Sequence, residues 1–191
     1  MKKRKYKASS EEEETDTTNE IVFQQGNRIF FYADVTLKSI QLLFECLAKA
    51  NEAALSLRPS KVHLHIHSHG GDAYAGLAAF HNLKRNPIPI TTMVDGMAAS
   101  AATFLLLAGK VRVAMKHSSV LIHQVSTGFF GKYNDMIDEM QNTHDLMNTF
   151  RSLYKEHTSL TAEHLEELLK SERALDAKTC KKNGIVHKVS S

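Results

Sequence analysis

Two residues of the sequence have the types and surroundings that nucleophilic catalysis requires. Ser100 follows a predicted strand and turn and lies in the first turn of a small, apolar, helix-like run, Met97–Ala108. Backbone N–H groups at a helix start favour developing negative charge, which suits a nucleophilic serine. His123 ends an apolar strand-like segment, and its neutral imidazole could accept the serine proton and return it to a leaving amine. The alternatives to catalysis are that Ser100 is a small packing residue among alanines and that His123 has a structural role.

A third segment could stabilise negative charge. Gly70 and Gly71 stand between a predicted strand and a predicted helix. Adjacent glycines let the backbone approach a ligand closely and direct N–H groups at it, which suits an oxyanion or a phosphate. An ordinary strand-to-helix turn is the structural alternative. The spacing fits neither GxGxxG nor the Walker A pattern, so the sequence carries no nucleotide-binding fingerprint.

The elements that must position these segments follow from the pattern of apolar residues. The pattern predicts helices at 37–57, 72–84, 97–108, 132–157, 161–170 and 176–184. It predicts strands at 20–23, 28–32, 61–67, 90–94, 111–114, 119–123 and 185–189, with a turn at Asp95–Gly96. Strands alternate with helices as far as residue 123, and a long helix follows. This order predicts an α/β fold with a largely parallel sheet.

Composition limits the class of protein. A chain of 191 residues that is 42% hydrophobic and 24% charged suits one globular domain with its own core. The longest apolar run, Met97–Ala108, is too short to span a membrane. The formal net charge of +3 is too small to indicate a nucleic-acid partner. We therefore expect neither a membrane span nor nucleic-acid binding.

The first 20 residues form a charged N-terminal segment ahead of a domain at 21–191. They hold five basic and six acidic side chains and lack the apolar core of a secretory signal. We expect a solvated, flexible arm, with ordering by a partner or a pore as the alternative. Cys46 and Cys180 lie outside any CxxC pair, and we expect buried free thiols, consistent with a reducing compartment.

Four histidines alternate along one predicted strand and into the turn after it. His63, His65, His67 and His69 are spaced by two residues, so they share one face if all four are in the strand. Imidazoles on one face could bind zinc, copper or nickel, or could tune pH behaviour near the glycine turn. Packing of His63 and His65 against neighbouring elements is the structural alternative. We expect no metal site.

The three chemical segments, in this order, resemble the ClpP family of caseinolytic serine peptidases. The segments are Ser68-His-Gly-Gly71, Gly96-Met-Ala-Ala-Ser100 and Ile122-His-Gln124. The resemblance covers about residues 28–189 and continues through Tyr154–Thr158 and Ala177–Val186. It implies that Ser100 is the nucleophile and His123 the general base. It also implies that the N–H groups of Gly71 and Ala101 form the oxyanion hole.

The resemblance also implies an acid as the third member of a Ser-His-acid triad. The family usually has an aspartate about twelve residues before the glycine matched by Gly184, and Glu172 stands there. A glutamate can orient an imidazole in the same way. Asp176 is the second candidate, although it matches a helix start and is expected to be an N-cap.

Several positions depart from the family pattern. The usual Asn-Ser-Pro-Gly-Gly is His67-Ser-His69-Gly-Gly71 here, and the arginine before the acid, which links oligomeric state to activity, is Ser171. The segments Ile29–Val35 and Gly128–Lys132 look closer to ClpP-like sequences of viral or mobile-element type.

The resemblance implies a fold and an assembly. The fold would be the ββα spiral of the ClpP/crotonase type, with residues 132–157 as a protruding handle helix. Heptameric rings would stack into a tetradecamer, and a hexameric Clp-type AAA+ ATPase would deliver unfolded polypeptides to the internal chamber. The peptide would pair as an added strand beside Gly70–Gly71 and beside Gln124, Val125 and Ser126. No cofactor is implied, and the location would be cytoplasmic.

Two other functions remain open. One is a catalytically silent, structural subunit of a ClpP-like ring, because the Glu172 and Ser171 departures affect the acid and the ring contacts. The other is a crotonase-type acyl-CoA enzyme, which would share the spiral and a backbone oxyanion hole but would not need the Ser100–His123 pair.

Overall fold

The computed structural model describes residues 21–191. The strands in this range are β1 (Ile21–Gln25), β2 (Arg28–Tyr32), β3 (Val62–Ser68), β4 (Ile90–Ala99), β5 (Val111–Met115), β6 (Ser119–Leu121), β7 (Leu175–Asp176) and β8 (Lys188–Ser190). The helices are α1 (Leu37–Leu55), α2 (Ala73–Lys84), α3 (Ala102–Leu107), α4 (Tyr133–His157), α5 (Ala162–Leu169) and α6 (Ala177–Lys182).

The strands form one mixed sheet in the order β1-β2-β3-β4-β5-β8. β6 adds to the far end of β4, and β7 pairs with β6. Pairing is antiparallel in β1–β2 and β6–β7 and parallel in the other pairs. The predicted α/β class with a largely parallel sheet is confirmed.

The core lies under α1 and around α3. Alternate residues of β2 and β3 are fully buried on one face, and α1 packs its apolar stripe against β1–β3. The buried residues of this layer are Ile29, Phe31, Ile40, Leu43, Leu47, Val62, Leu64 and Ile66. Burial of each such side chain stabilises the fold by about 1.5–3 kcal/mol. The apolar faces of β2, β3 and α1 therefore hold the sheet and the helix together.

Helix α4 packs against the core through its C-terminal half. Its buried residues are Phe150, Leu153 and Tyr154, and Phe150 packs edge-on against Phe104 of α3 with ring centroids 4.8 Å apart. The first half of α4 leaves apolar side chains in solvent, with Met140 75% exposed. The predicted long helix is therefore confirmed, and most of its length lies outside the core. No helix within residues 21–191 is long and apolar enough to cross a membrane.

One predicted element is wrong at its start. The expected helix over Met97–Ala108 and the expected turn at Asp95–Gly96 are replaced by a strand that continues to Ala99 and a short helix, α3, that begins at Ala102. The physical reason is pairing: Met97, Ala98 and Ala99 form ladder partners with β6. Small apolar residues are compatible with a helix or a strand, and the pairing with β6 makes this segment a strand.

β6 ends at Leu121, so the expectation that His123 ends this strand is wrong, and the two-residue strand β7 that pairs with β6 is not predicted from the sequence. Other differences are small. α1 ends at Leu55, two residues before the expected end, and β8 begins at Lys188, three residues later than expected. Cys180 is fully buried as expected, and burial raises the pKa of its thiol to about 12. Cys46 is only half-buried, so the expectation of a buried thiol is wrong there.

Candidate active site

Ser100 lies at the junction between β4 and α3 in an unusual backbone conformation. Its φ is +53°, in the left-handed region that residues other than glycine rarely adopt. Its N–H donates to the carbonyl oxygen of Leu121 at 2.9 Å, and its own carbonyl accepts from the Thr103 N–H at 2.9 Å. These bonds hold the chain in a sharp strand-to-helix turn. A turn of this kind projects the serine away from the sheet, as nucleophilic serines require.

The glycine turn after β3 lies directly against Ser100. Gly70 and Gly71 have φ values of +100° and +140°. A Cβ atom on Gly70 would lie 2.6 Å from both the Ser100 Cβ and the Ala99 carbonyl oxygen, and one on Gly71 would lie 2.4 Å from the Val35 carbonyl oxygen. Only glycine fits either position, because of the backbone conformation and because of the space.

Backbone hydrogen bonds lock this glycine turn in place. The Val35 N–H donates to the Gly70 carbonyl and the Asp72 N–H donates to the Val35 carbonyl, both at 2.7 Å. Within residues 21–191, the N–H groups of Gly71 and Ala101 have no hydrogen-bond acceptor. The site of a Gly70 Cβ is 3.2 Å from the Ala101 nitrogen, so the turn and the start of α3 are adjacent. Two unused donors beside a serine are the elements of an oxyanion hole.

His123 and Glu172 form a hydrogen-bonded pair. The His123 Nδ1 lies 3.1 Å from the Glu172 Oε1, and their side chains are 21% and 72% exposed. With the proton on Nδ1, the ring donates to the carboxylate and leaves Nε2 as an acceptor, the tautomer that a general base needs. The neighbouring Gln124 N–H donates to the Leu169 carbonyl at 2.8 Å, which ties the His123 loop to the end of α5 just before Glu172.

Asp176, the second candidate for the acid, has another role. Its Oδ1 accepts from the Thr179 N–H at 2.7 Å and caps α6. Hydrogen bonds from Thr179 hold the pKa of this carboxyl below its usual value. The expectation that Asp176 is an N-cap is confirmed.

One of the two expected peptide-binding segments borders a groove. This groove of about 720 Å³ is lined by residues 34–38 and by residues 69–72, which include Gly70 and Gly71. Gln124, Val125 and Ser126 lie in a segment without regular structure after β6. The Gln124 N–H is already bonded, and the Val125 N–H lies 3.3 Å from the Met147 sulfur. A peptide strand there would have to use other backbone groups of the segment.

Three of the four alternating histidines lie on β3, and His69 lies in the turn. The His65 Nδ1 lies 2.9 Å from the Asp95 Oδ2, and the Tyr32 hydroxyl donates to the same oxygen at 2.5 Å. Burial alone would raise the pKa of Asp95, but the His65 and Tyr32 hydrogen bonds outweigh it and lower that pKa.

The other two strand histidines are also held by the fold. The His67 Nδ1 accepts from the Met97 N–H at 3.2 Å. His63 is half-buried, and burial lowers its pKa. No group of three or more potential ligands is placed to hold a metal ion within the part of the chain that the structure describes.

One residue at this site is missing from the sequence predictions. The Thr103 hydroxyl donates to the Ser100 carbonyl oxygen at 2.6 Å, alongside the Thr103 N–H. A signal was present, because Thr103 is the only polar side chain other than Ser100 in the run from 97 to 108. A lone hydroxyl in an apolar helix must find a partner nearby.

Comparison with known proteins gives a consistent result. A family model described as Clp protease matches residues 9–191. The ATP-dependent Clp protease proteolytic subunit of Deinococcus radiodurans is 30% identical over 131 residues, which is 68% of this chain and 64% of that relative. The match therefore spans less than two thirds of the relative's length.

Proposed function

Because the chain belongs to the Clp protease family, we propose that it is a serine endopeptidase and the proteolytic subunit of a Clp-type chambered protease. The observation that carries this proposal is the left-handed turn at Ser100. It lies against the Gly70–Gly71 turn and is joined through the Leu121 carbonyl to the strand that precedes His123.

The mechanism follows from these roles. His123 Nε2 accepts the Ser100 hydroxyl proton while Ser100 Oγ forms a bond to the peptide carbonyl carbon. The tetrahedral intermediate collapses, the C–N bond breaks, and His123 gives the proton to the leaving amine. Water, activated by His123, then hydrolyses the acyl-enzyme and restores the Ser100 hydroxyl. Glu172 holds the imidazole in the required tautomer and stabilises it when protonated.

The oxyanion is proposed to lie between the N–H groups of Gly71 and Ala101. Both donors lack an acceptor within residues 21–191 and belong to rigid turns, so they need not reorganise when charge develops. Each such donor typically contributes about 3–4 kcal/mol to transition-state stabilisation. The bound peptide is proposed to extend along Gly70–Gly71 and along Gln124, Val125 and Ser126.

A catalytically silent ring subunit is the second candidate. The observation that favours it is the exposure of Glu172, whose side chain is 72% accessible. A carboxylate in water holds a histidine weakly, because surface ion pairs contribute only about 0–1 kcal/mol. The presence of the serine, the histidine and both unused N–H groups favours the active enzyme.

The exposed face of α4 supports assembly into stacked rings. Large apolar side chains in and before the first half of α4 are in solvent: Phe129, Phe130, Tyr133, Met136, Ile137 and Met140. A surface of this kind marks a protein contact. We propose that α4 joins heptameric rings into a tetradecamer that encloses the site. A cytoplasmic AAA+ ATPase would then deliver unfolded polypeptides, since the sequence carries no nucleotide-binding fingerprint of its own.

The division of the chain at residue 20 is also a proposal. Residues 1–20 lie outside the described residues, and residues 21–191 would form the peptidase domain. In a ring, several copies of the charged segment would meet at the axial pore. Deleting residues 1–20 should then change the degradation of long polypeptides more than the cleavage of short peptides.

Active-site labelling tests the proposed function. A fluorophosphonate probe should modify the assembled oligomer at Ser100, with loss of fluoride, and should leave Ser100→Ala unmodified. Short peptides should be cleaved by the wild type only. An assembled wild type that is not labelled at Ser100 would favour the silent subunit. Turnover of a CoA thioester without labelling would favour a crotonase-type enzyme.

A further inference from the structure

A chain of two hydrogen bonds, one buried and one part-buried, connects α4 to the backbone of Ser100. The Tyr154 hydroxyl lies 2.5 Å from the Thr103 Oγ1, which lies 2.6 Å from the Ser100 carbonyl oxygen. Thr103 and Tyr154 are each only 1% exposed. The three residues therefore form a relay whose Tyr154–Thr103 bond lies within the core, where water does not compete for it.

The direction of each bond in this relay is determined by proton counting. The Ser100 carbonyl oxygen can only accept, so the single hydroxyl proton of Thr103 must point at it. Thr103 then has no proton left for Tyr154, and the Tyr154 hydroxyl must be the donor in the second bond. Tyr154 has no other side-chain partner within residues 21–191. Loss of the Thr103 hydroxyl would leave a buried phenol unsatisfied.

The target of this relay is the peptide unit between Ser100 and Ala101. A trans peptide is planar, and its C=O and N–H point in opposite directions. Thr103 holds the Ser100 carbonyl towards α3 with two donors, its N–H and its hydroxyl. The Ala101 N–H of the same plane is therefore directed away from α3, and it has no acceptor within the described part of the chain.

The backbone at Ser100 is strained, so the peptide that follows it needs hydrogen bonds to keep its orientation. With φ at +53°, Ser100 is in a conformation that costs free energy for a residue with a side chain. The Leu121 carbonyl accepts from the N–H of Ser100, and the Thr103–Tyr154 relay holds the carbonyl oxygen of Ser100. Relief of the strain requires rotation about the Ser100 N–Cα bond, which would carry the Ser100–Ala101 peptide with it, and removing the relay would weaken the resistance to this rotation.

We infer that Thr103 and Tyr154 are positioning residues that set the orientation of the Ser100–Ala101 peptide, and so of the Ala101 N–H. The kinetic part of this inference rests on the proposed peptidase function, in which that N–H is an oxyanion donor. The structural part, the orientation of the peptide plane, is independent of any activity.

Substitutions of nearly equal shape test the relay. Thr103→Val removes the hydroxyl, Thr103→Ser restores it, and Tyr154→Phe removes the outer donor. Thr92→Val is the matched control. Thr92 is also fully buried, and its hydroxyl also donates to a carbonyl of α3, that of Leu106 at 2.8 Å, but at the far end of the helix from Ser100.

A positioning role predicts a split between kcat and KM. We expect Thr103→Val to lower kcat about 10- to 100-fold, because a misdirected N–H still stabilises the oxyanion in part. The value of KM should change less than about 2-fold. Tyr154→Phe should lower kcat about 3- to 10-fold, and should add little in the Thr103→Val background. Thr103→Ser should recover most of the rate. Thr92→Val should reduce thermal stability like Thr103→Val but leave kcat near the wild-type value.

Crystal structures of the wild type and Thr103→Val complete the test. The wild type should show the Ser100 φ near +53° and the Ala101 N–H directed out of α3, and Thr103→Val should show a rotated plane. An unchanged plane in Thr103→Val, or equal kcat losses in Thr103→Val and Thr92→Val, would overturn the inference. A wild type that is not labelled by fluorophosphonate, but whose plane rotates in Thr103→Val, would overturn the peptidase proposal and leave the relay standing.

Discussion

The candidate nucleophile and the candidate acid–base pair are held by different kinds of structure. Ser100 lies among buried neighbours, since Ala99, Ala101 and Thr103 are at most 3% exposed, and main-chain hydrogen bonds fix it on both sides. His123 and Glu172 lie on segments without regular secondary structure, 21% and 72% exposed, and are joined by one hydrogen bond. The half around Ser100 is built on core residues, whereas the other half ends in a carboxylate that lies largely in solvent.

The two halves of the site should therefore respond differently to substitution. Geometry that depends on close packing and buried hydrogen bonds cannot adjust without a loss of stability. Geometry that depends on one exposed hydrogen bond adds little to stability and is easily lost. Substitutions around Ser100 should therefore affect folding and activity together, whereas substitutions at Glu172 should affect activity alone.

The largest effect is expected at Gly70. A Cβ at this position would collide with the Ser100 Cβ and the Ala99 carbonyl oxygen, both at 2.6 Å, and would be strained at φ +100°. Gly70→Ala should therefore shift the glycine turn away from Ser100. We expect kcat for peptide cleavage to fall about 1000-fold, as for loss of an oxyanion donor, and thermal stability to fall as well. Steady-state kinetics and calorimetry measure the two effects.

Gly128→Ala is the matched control for this glycine. A Cβ there would meet nothing within 4 Å, so activity and stability should both stay near the wild-type values. If Gly70→Ala kept full stability while losing activity, the buried half of the site would not be coupled to the core. The comparison between the two halves would then be wrong.

The next effect is expected at Glu172. Glu172→Gln keeps the size of the side chain but removes the charge that holds the Nδ1–H tautomer of His123. A buried triad aspartate changed to asparagine costs about 10⁴ in kcat. Because Glu172 is largely in water, we expect a smaller loss, about 100-fold, with no change in melting temperature. The kcat of peptide cleavage is the measurement.

Asp176→Asn separates the two candidate acids. Asparagine caps a helix about as well as aspartate, so α6 should keep its N-cap while the charge is lost. Near-normal activity is expected. A larger loss in Asp176→Asn than in Glu172→Gln would transfer the role of the acid to Asp176.

The parts of the fold set by local pattern are the parts that the sequence predicts well. Alternation along β3 and the stripe of α1 follow directly from periodicity, because burial on one face leaves only one arrangement. The end of β4 does not follow. Met97, Ala98 and Ala99 are small and apolar, and only their pairing with β6 makes them a strand. The left-handed turn at Ser100 depends on that pairing, so it could not be predicted from the local sequence pattern.

The same reasoning applies within the site. Residue types and positions made Ser100, His123 and the glycine turn candidates, and the resemblance to the ClpP family implied Glu172 as the acid. The spacing could not reveal the exposure of Glu172, since exposure depends on how the α5–β7 segment packs. Thr103 and Tyr154 are 51 residues apart, and their contact appears only after α4 is laid against α3.

A smaller effect is expected from acid at the anchor of α4. Burial, followed by the charges of Lys84 and Arg112, lowers the pKa of His157 in the folded chain. The unfolded chain then binds more protons below its ordinary histidine pKa of about 6.5, so stability should fall as pH drops through that value. We expect a lower melting temperature at pH 5.5 than at pH 7.5. The fall should be smaller in His157→Gln.

His117→Gln is the control, because His117 is an exposed histidine in the turn between β5 and β6. Its melting temperature should fall with pH as in the wild type. Equal falls in His157→Gln and the wild type would show that the buried half of the site is not sensitive to acid through α4.

The smallest effect is expected from metal removal, because neither half of the site uses the histidine-rich face of β3 in the proposed mechanism. His65 is bonded to Asp95, and the His67 Nδ1 accepts from Met97, so two of the imidazoles already have partners. Incubation with a chelator should leave kcat unchanged, and elemental analysis should find no stoichiometric zinc, copper or nickel. Loss of activity that zinc restores would add a third region to the site. That response should then disappear in His63→Gln, because neighbouring imidazoles on one strand face would have to share the ion.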